Sequence, residues 1–358
     1  LKRLSVKNFH YIIVTVQERR NIRMIKSNIN RTMVLMELLK QSPSPVSSSD
    51  LISCTKISRQ AIWKAVESLK NEGFLIEAIP QKGYRLISLP DNDLSVSYIA
   101  ALTCSRSPWY KNIILFESID STQIEAKRLA RTGSGSGTAV ISRVQTAGRG
   151  RMDRKWMSPP EGLYFSVITR PIIPPGQIQI LNLAAGIAAR KAITSSAGIE
   201  CDLKWPNDIL FGNAKLCGII SEASMEIDSV HYIVTGIGIN VNNSEKLNQN
   251  TTDFKAATIE QLSGKKVNRS FLLSLFLQYF HEILKLFENE GSQEIIKEYR
   301  KHCSTLGRNV SVITREGIFK GKAENISHKG ELAVLTERGE TTFISAGDVI
   351  HAPLSESL

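Results

Sequence analysis

The stretch SRQAIWKAVESLKNEGFLIEAIPQKGYRLI, Ser58 to Ile87, decides the front of the fold. Ser58 suits an N-cap, and Ile62, Ala65, Val66 and Leu69 recur at helical spacing, so a helix with one apolar stripe begins there. Arg59, Gln60, Trp63, Lys64 and Glu67 fall off that stripe. Gly73 closes the helix, and FLIEAIPQKGYRLI reads as two strands around a Lys82-Gly83 turn. Upstream, Met33, Leu35, Met36, Leu38 and Leu39 predict a first helix from Asn30 that stops at Pro43 and Pro45. SSSDLISC predicts a short second helix capped by serine, followed by a turn at Thr55 to Ile57. Three helices and a hairpin over residues 30–90 are the winged helix-turn-helix arrangement. Its third helix would enter a major groove through Arg59, Gln60 and Lys64, with Lys82 on the wing. A packing module that touches no DNA is the competing reading, since a polar face on a surface helix is ordinary. Trp63 is bulky for base readout and is expected to pack against the wing.

Charge supports a polyanion at this end. The chain of 358 residues carries net +11, and residues 1–90 hold fifteen Lys or Arg against six Asp or Glu. That segment is therefore +9, and everything after it only +2. Residues 1–32 contribute +7 of the excess, and the basic leader (1–29), which opens on Leu, reads as an added arm or as an over-extended reading frame whose true start is Met24 or Met33. The five cysteines form no CxxC pair and no zinc spacing, and read as reduced residues of a cytoplasmic protein. No apolar run approaches the roughly 20 residues of a membrane span.

PDNDLS, Pro90 to Ser95, is a linker, and strands and helices mix beyond it. GTAVISR, GLYFSVITRP, CDLKW, KLCGIISEAS and HYIVTGIGINV read as strands. QIQILNLAAGIAARKAITSSAG and SFLLSLFLQYFHEILKLFENE read as helices, giving an α+β central domain over 95–301. From 306 to 358, NVSVITR, GIFKGKAENIS, ELAVLTE, ETTFISA and DVIH follow at close spacing with glycine turns, as in a small SH3-like β-barrel.

Familiar nucleotide and metal signatures are missing: there is no GxxxxGK[ST], HExxH or GxSxG, and GSGSG at Gly133 to Gly137 lacks a strand before it and a helix after it. Three other stretches carry chemistry. QTAGRGRMDRKW, Gln145 to Trp156, sets three arginines and a lysine against one carboxylate, and its glycines suit an anion site in a loop that closes over its ligand. In KWPNDILFGNAKLCGI, a hairpin turn at Gly212-Asn213 would pair Leu210 with Lys215 and place Asp208 diagonally across from Lys215 on one face. In ESIDSTQIEAKRLA, Asp120, Ser121 and Thr122 form a polar turn and helix cap.

In order and separation, IDST (Ile119 to Thr122), QTAGRGR (Gln145 to Arg151), RKW (Arg154 to Trp156), KWPND (Lys204 to Asp208), Lys215 and its neighbours, and GIGIN (Gly236 to Asn240) resemble the biotin protein ligases. With the QKGYRL wing and the terminal barrel, the chain is similar to the bifunctional bacterial form that also represses the biotin operon, over about Asn30 to Ile350. The resemblance implies a class II synthetase-like central domain that joins biotin to ATP as biotinyl-5'-adenylate. Biotin then passes to a lysine of a biotin carboxyl carrier protein or carboxylase domain. It implies that Ser121, Thr122 and Gln145 bind the biotin ring, that Gly148, Arg149, Gly150 and Arg151 cover its tail and the adenylate, and that Trp156 and Asn240 neighbour the nucleotide. Lys215 would neutralise carboxylate and phosphate oxygens, with Asp208 orienting it or holding Mg²⁺. Operator DNA and a homodimer are the implied partners. A lipoate or octanoate ligase of the same fold, or a non-catalytic biotin-sensing repressor, is the alternative. Met152-Asp153 departs from the family's continuation after GRGR, and Ile350, His351 and Ala352 stand where a terminal arginine is expected. A contact from the barrel to the nucleotide is therefore not expected.

Overall fold

The structure, a computed structural model, describes residues 24–26, 28–91, 93–152, 154–227, 229–243 and 255–351. Residues 1–23 of the leader, Asp153 and Ala352 lie outside the described residues.

In chain order, β1 (Met24–Lys26) precedes α1 (Ile29–Gln41), α2 (Ser48–Thr55), α3 (Arg59–Asn71), β2 (Leu75–Ile79) and β3 (Gly83–Ser88). Asn28, Ser47 and Ser58 cap the three helices by accepting from Arg31, Asp50 and Ala61 backbone N–H groups, so each helix starts where a short polar side chain can satisfy a free donor. Val34, Leu35, Leu38, Leu51, Ile62, Val66, Leu69, Phe74 and Leu86 form the core of this module. The wing differs slightly from the sequence expectation. Pro80, Gln81 and Lys82 make the turn, and Gly83 already pairs with Ile79. Gly83 has φ 100°, and a Cβ there would lie 2.0 Å from the Val46 carbonyl oxygen, so no larger residue fits. Trp63 is 55% exposed, on the same face as Arg59, Gln60 and Lys64, so the wing leaves more than half of it open to solvent.

The central region continues with α4 (Val96–Thr103), β4 (Ile113–Ile119), α5 (Thr122–Arg131), β5 (Ala139–Gln145), β6 (Leu163–Thr169), α6 (Ile178–Ala197), β7 (Asp202–Lys204), β8 (Asp208–Phe211), β9 (Ala214–Met225), β10 (Val230–Ile239), β11 (Lys255–Ala256), α7 (Ile259–Ser263), α8 (Arg269–Glu290) and α9 (Gln293–Lys301). Among the described residues its strands form one sheet in the order β1-β4-β5-β6-β10-β9-β8-β7, with β11 beside β9. β4 and β5 run parallel, while β5-β6, β6-β10, β10-β9 and β9-β8 are antiparallel. β6 is buried along its whole length, so its continuous apolar run is that of a central strand. α6 and α8 cover one face of the sheet, and Phe165, Phe276 and Phe280 sit in the core they share with it. None of the described helices is long and apolar enough to cross a membrane.

The chain ends in β12 (Asn309–Ile313), β13 (Ile318–Ile326), β14 (Leu332–Thr336), β15 (Thr341–Ile344) and β16 (Asp348–His351), antiparallel in the order β15-β14-β13-β12-β16. Trp205 joins this unit to the sheet: its backbone N–H donates to Thr305 Oγ1 (3.1 Å) and its indole N–H to the Gly330 carbonyl (3.0 Å). The front module packs on the central region through α1 against α4. Two ionic clasps reinforce that junction. Arg31 pairs with Glu72 and donates to the Lys26 carbonyl in β1, which itself pairs with the edge of β4. Arg269, 5% exposed, pairs with Asp93 of the linker through Nη2 (2.6 Å) and Nε (2.9 Å).

Candidate active site

One cleft gathers the ends of β4, β5, β8, β9 and β10 with the loop after β5. Its lining includes Ser121, Thr122, Gln145, Arg149, Gly150, Arg151, Trp156, Asp208, Lys215 and Asn240. Gly148 lies beneath that lining, at the base of the loop.

At one end the walls are polar and uncharged. Ser121 occupies the N-cap position of α5, but its hydroxyl makes no capping bond, contrary to the sequence expectation. Gln145 Oε1 instead accepts from the Thr122 backbone N–H (2.9 Å) and hydroxyl (3.1 Å) at that helix end. Ser121, 1% exposed, keeps its Oγ without a protein partner among the described residues. A buried hydroxyl left unpaired costs about 1–3 kcal/mol, so it marks a position built to bond something else. Ser166 and Gln123 complete this end: Ser166 Oγ lies 2.9 Å from Thr122 Oγ1 and donates to Gln123 Oε1 (3.0 Å).

The floor is made of glycine. Gly218 of β9 and Gly238 of β10 are register partners. A Cβ at Gly218 would come within 2.7 Å, and one at Gly238 within 2.5 Å, of the Trp156 indole, which covers both. The period-2 pattern of GIGI therefore leaves one face at the end of β10 without side chains, and the indole fits there. Lys215 Nζ sits 5.5 Å from the centre of the same indole.

The other end is charged. The expected loop is an ordered hairpin: Trp156 N–H donates to Gly148 O (2.9 Å), Gly150 N–H to Arg154 O (2.7 Å) and Arg154 N–H to Arg151 O (3.1 Å). Met152 turns its tip with φ 52°. Gly148 is required there, because a Cβ would meet Trp156 O at 2.5 Å and Ser158 Oγ at 2.8 Å. At Gly150 the nearest atom would be 3.4 Å away. Arg151 donates to Asn207 Oδ1 (3.1 Å) and to the Gly347 carbonyl (3.2 Å). Burial lowers its pKa from the ordinary guanidinium value, while the carboxylates of Asp348 and Asp208 pull the other way. Arg154 pairs with Asp348. The terminal sheet thus does reach the cleft, through Gly347 and Asp348 at the turn into β16, although the chain lacks an arginine there. Lys215 Nζ lies 2.7 Å from Asp208 Oδ1, with both side chains mostly shielded from solvent. Leu210 pairs with Lys215 as the turn residues predicted, and Gly212 begins that turn with φ 55°. Asn240, 4% exposed, donates to the Lys215 carbonyl (3.2 Å).

Comparison with known proteins follows the same three parts. The HTH domain family matches residues 31–85, the biotin/lipoate A/B protein ligase family residues 115–240, and the biotin protein ligase C terminal domain family residues 305–352. The bifunctional ligase/repressor BirA of Bacillus spizizenii is 37% identical, aligned over 87% of this chain and 96% of its own length. The chain belongs to the bifunctional biotin protein ligase family. The Escherichia coli member BirA is 29% identical, covering 77% of this chain and 84% of its own. The biotin protein ligase of Aquifex aeolicus solved with biotin and ATP superposes with a TM-score of 0.56 and 31% identity, over 68% of this chain and 99% of that one.

Several lining residues of this biotin ligase family member escaped the sequence reading: Gln123, Ser166, Asn207, Gly218, Gly238 and Asp348. Asn207 lies inside KWPND and Gly238 inside GIGIN, but neither takes a role from the sequence, and the other four carry no local signal. The groove-facing candidates Arg59, Gln60, Lys64 and Lys82 lie in the front module, away from the cleft, and all four are exposed.

Proposed function

We propose that this chain activates biotin with ATP and transfers it to a lysine of a carboxylase carrier protein. The observation that carries this reading is the Lys215–Asp208 pair beneath a folded arginine hairpin, at one end of a cleft whose other end holds the unpaired Ser121 hydroxyl. Biotin has the matching shape: a hydrogen-bonding ureido ring at one end and a carboxylate at the other.

Ser121 would bond the ureido group, with Thr122 and Gln145 fixing that wall. In the first step a biotin carboxylate oxygen attacks the α-phosphorus of ATP, and the bond to pyrophosphate breaks. Both reactants are anions, so their approach needs fixed cations aimed at the developing phosphoryl charge. Arg149 and Arg151 supply forked donors and Lys215 a point charge, positioned by Asp208. Trp156, over the glycine floor, walls the nucleotide side with Asn240 behind Lys215. In the second step the carrier's lysine amine attacks the biotinyl carbonyl and AMP leaves. A hairpin folded over the mixed anhydride would keep water from it. Among the described residues no three His, Cys, Asp or Glu side chains converge as a metal site. ATP phosphates would bring Mg²⁺ with them, and Asp208 and Asp348 are the carboxylates on the lining that could meet it.

Biotin-dependent ATP–pyrophosphate exchange tests this reading. Exchange should require biotin, ignore lipoate and collapse in Lys215→Ala. Folded protein that binds biotin but exchanges nothing would make the chain a sensor.

The front module serves as the operator-binding part of a biotin-responsive repressor. In it Glu37, Glu67, Glu72 and Glu77 are each paired to a Lys or Arg, whereas Arg59, Lys64 and Lys82 form no ion pair among the described residues. Free cations on the face of α3 and on the wing suit phosphates. Biotinyl-adenylate would act as corepressor by favouring a homodimer that spans two half-sites. Gel-shift titration of promoter DNA with and without the adenylate reads this coupling, and equal affinity in both would refute it.

A further inference from the structure

The indole of Trp63 is unexplained by anything above. It is 55% exposed in the middle of α3, and among the described residues it makes no hydrogen bond, ring stack or cation–π contact. Arg59 and Trp63 stand one turn apart, Gln60 and Lys64 stand one turn apart beside them, and all four are exposed. A large apolar ring thus lies among unpaired cations and one amide, with Glu67 one turn further on held by Lys70.

We infer that Trp63 is a base-reading residue whose ring covers the C5-methyl group of a thymine in the major groove. The inference rests on the module being the DNA-binding part. Cationic neighbours fit a phosphate backbone and would repel a basic protein surface, so the occupant is duplex DNA. Within the major groove, thymine alone offers an apolar group, and apolar side chains recognise it by contact. The indole N–H can only donate, so it also suits the acceptor O4 of thymine and conflicts with the N4 donor of cytosine. Gln60, three residues earlier on the same face, is about 5–6 Å away between Cβ atoms. It reaches the same or the next base pair, where an amide bonds the adenine edge in two places. The pair together selects an A·T-containing step.

The experiment selects random-sequence duplexes on the full chain with biotin, ATP and Mg²⁺ present, in parallel with Trp63→Ala, Trp63→Phe and Lys64→Ala. Trp63 is exposed, so these variants fold, which circular dichroism verifies. Wild-type protein should enrich a motif with an invariant thymine. Replacing that thymine by uracil should weaken wild-type binding by roughly threefold to tenfold, the worth of about one buried methyl. Trp63→Ala should accept any base at that position and ignore the uracil swap, Trp63→Phe should keep part of the preference, and Lys64→Ala should weaken all sequences alike. Should Trp63→Ala enrich the same motif with the same uracil sensitivity, the inference fails while the DNA-binding reading stands. It fails equally if Trp63→Ala changes only self-association, since a second copy then covers the ring. Absence of any enriched motif with wild-type protein overturns the DNA-binding reading itself.

Discussion

Gly148 and Gly150 sit two residues apart in the same hairpin, yet alanine should be tolerated at only one. At Gly148 the new Cβ would stand 2.5 Å from the Trp156 carbonyl oxygen, 2.8 Å from Ser158 Oγ and 3.2 Å from Gln145 Nε2. Two of these neighbours are anchored: Trp156 N–H bonds Gly148 O, and Ser158 Oγ accepts from Gln145. Relief needs the far strand of the hairpin to move by about 1 Å, which unseats the indole from Gly218 and Gly238 and loosens the amide that fixes Thr122. Overpacking of this kind costs about 1–3 kcal/mol, equivalent to roughly fivefold to 150-fold in kcat/KM. At Gly150 the nearest atom to a Cβ is Arg154 O at 3.4 Å, an ordinary contact, so Gly150→Ala should stay within about threefold of wild type. Pyrophosphate exchange across a biotin series gives kcat/KM, and calorimetric titration gives biotin affinity for both variants. Equal losses in the two variants would refute the steric argument, as would a Gly148→Ala enzyme that keeps wild-type kcat/KM, biotin affinity and melting temperature.

Three further outcomes follow from the same geometry. Arg151→Ala, which removes a part-buried guanidinium bonded to Asn207 and Gly347, should cost at least tenfold in ATP affinity. Asp348→Ala opens a pair whose Arg154 side chain is 61% exposed and should cost under about fivefold, since exposed pairs are worth 0–1 kcal/mol; exchange assays at varied ATP separate the two. His351 is pushed down to about 4 by burial and by the positive Lys204 and Arg308, from an ordinary value of 6.5. Its folded-state pKa is lowered, so the unfolded chain binds the extra proton first: stability is intact above about pH 6.5 and falls as pH drops toward 4, by about 1–2 kcal/mol after solvent screening. His351→Gln should flatten that limb in urea melts only partly, because burial lowers His281 and His302 as well. Native protein should expose Cys54 to a thiol reagent while Cys201, Cys217 and Cys303 react only on unfolding. Those three are buried, and burial raises each thiol above its usual range.

Local chemistry made much of this legible. Pairing of Leu210 with Lys215 follows from the two turn residues Gly212 and Asn213 alone, and the caps Ser47 and Ser58 follow from side-chain oxygens next to apolar stripes. A bulge between Ile209 and Leu210 shifts Asp208 opposite Gly218, but the same-face rule still brings it to Lys215. Ser121 shows where such rules stop. Serine before a helix reads as a cap, and only the arrival of Gln145, 23 residues after Thr122, takes over the helix end and frees the hydroxyl. Trp63 likewise stays 55% exposed, which periodicity alone does not reveal. Asp348 lies 194 residues from Arg154, so no spacing in the sequence announces that the terminal sheet touches the hairpin.

Arg269 extends that argument from the site to the rest of the chain. Its guanidinium donates to Asp93 in the linker and to the carbonyls of Pro160 and Gly162, which follow the hairpin. On the hairpin side, Ser158 is tied to Gln145, and Gln145 to Thr122. On the other side, the Asp93 carbonyl accepts from Ser270, and Ser270 Oγ accepts from Ser95 N–H just before α4, the helix against which α1 packs. Arg269 is 5% exposed, so water cannot readily replace a bond it loses. Arg269 thus ties the segment after the hairpin to the linker that carries the winged helix. Arg269→Ala should therefore weaken both biotin binding and operator binding, read by calorimetric titration and gel shift, and a folded variant with both affinities unchanged would refute the link.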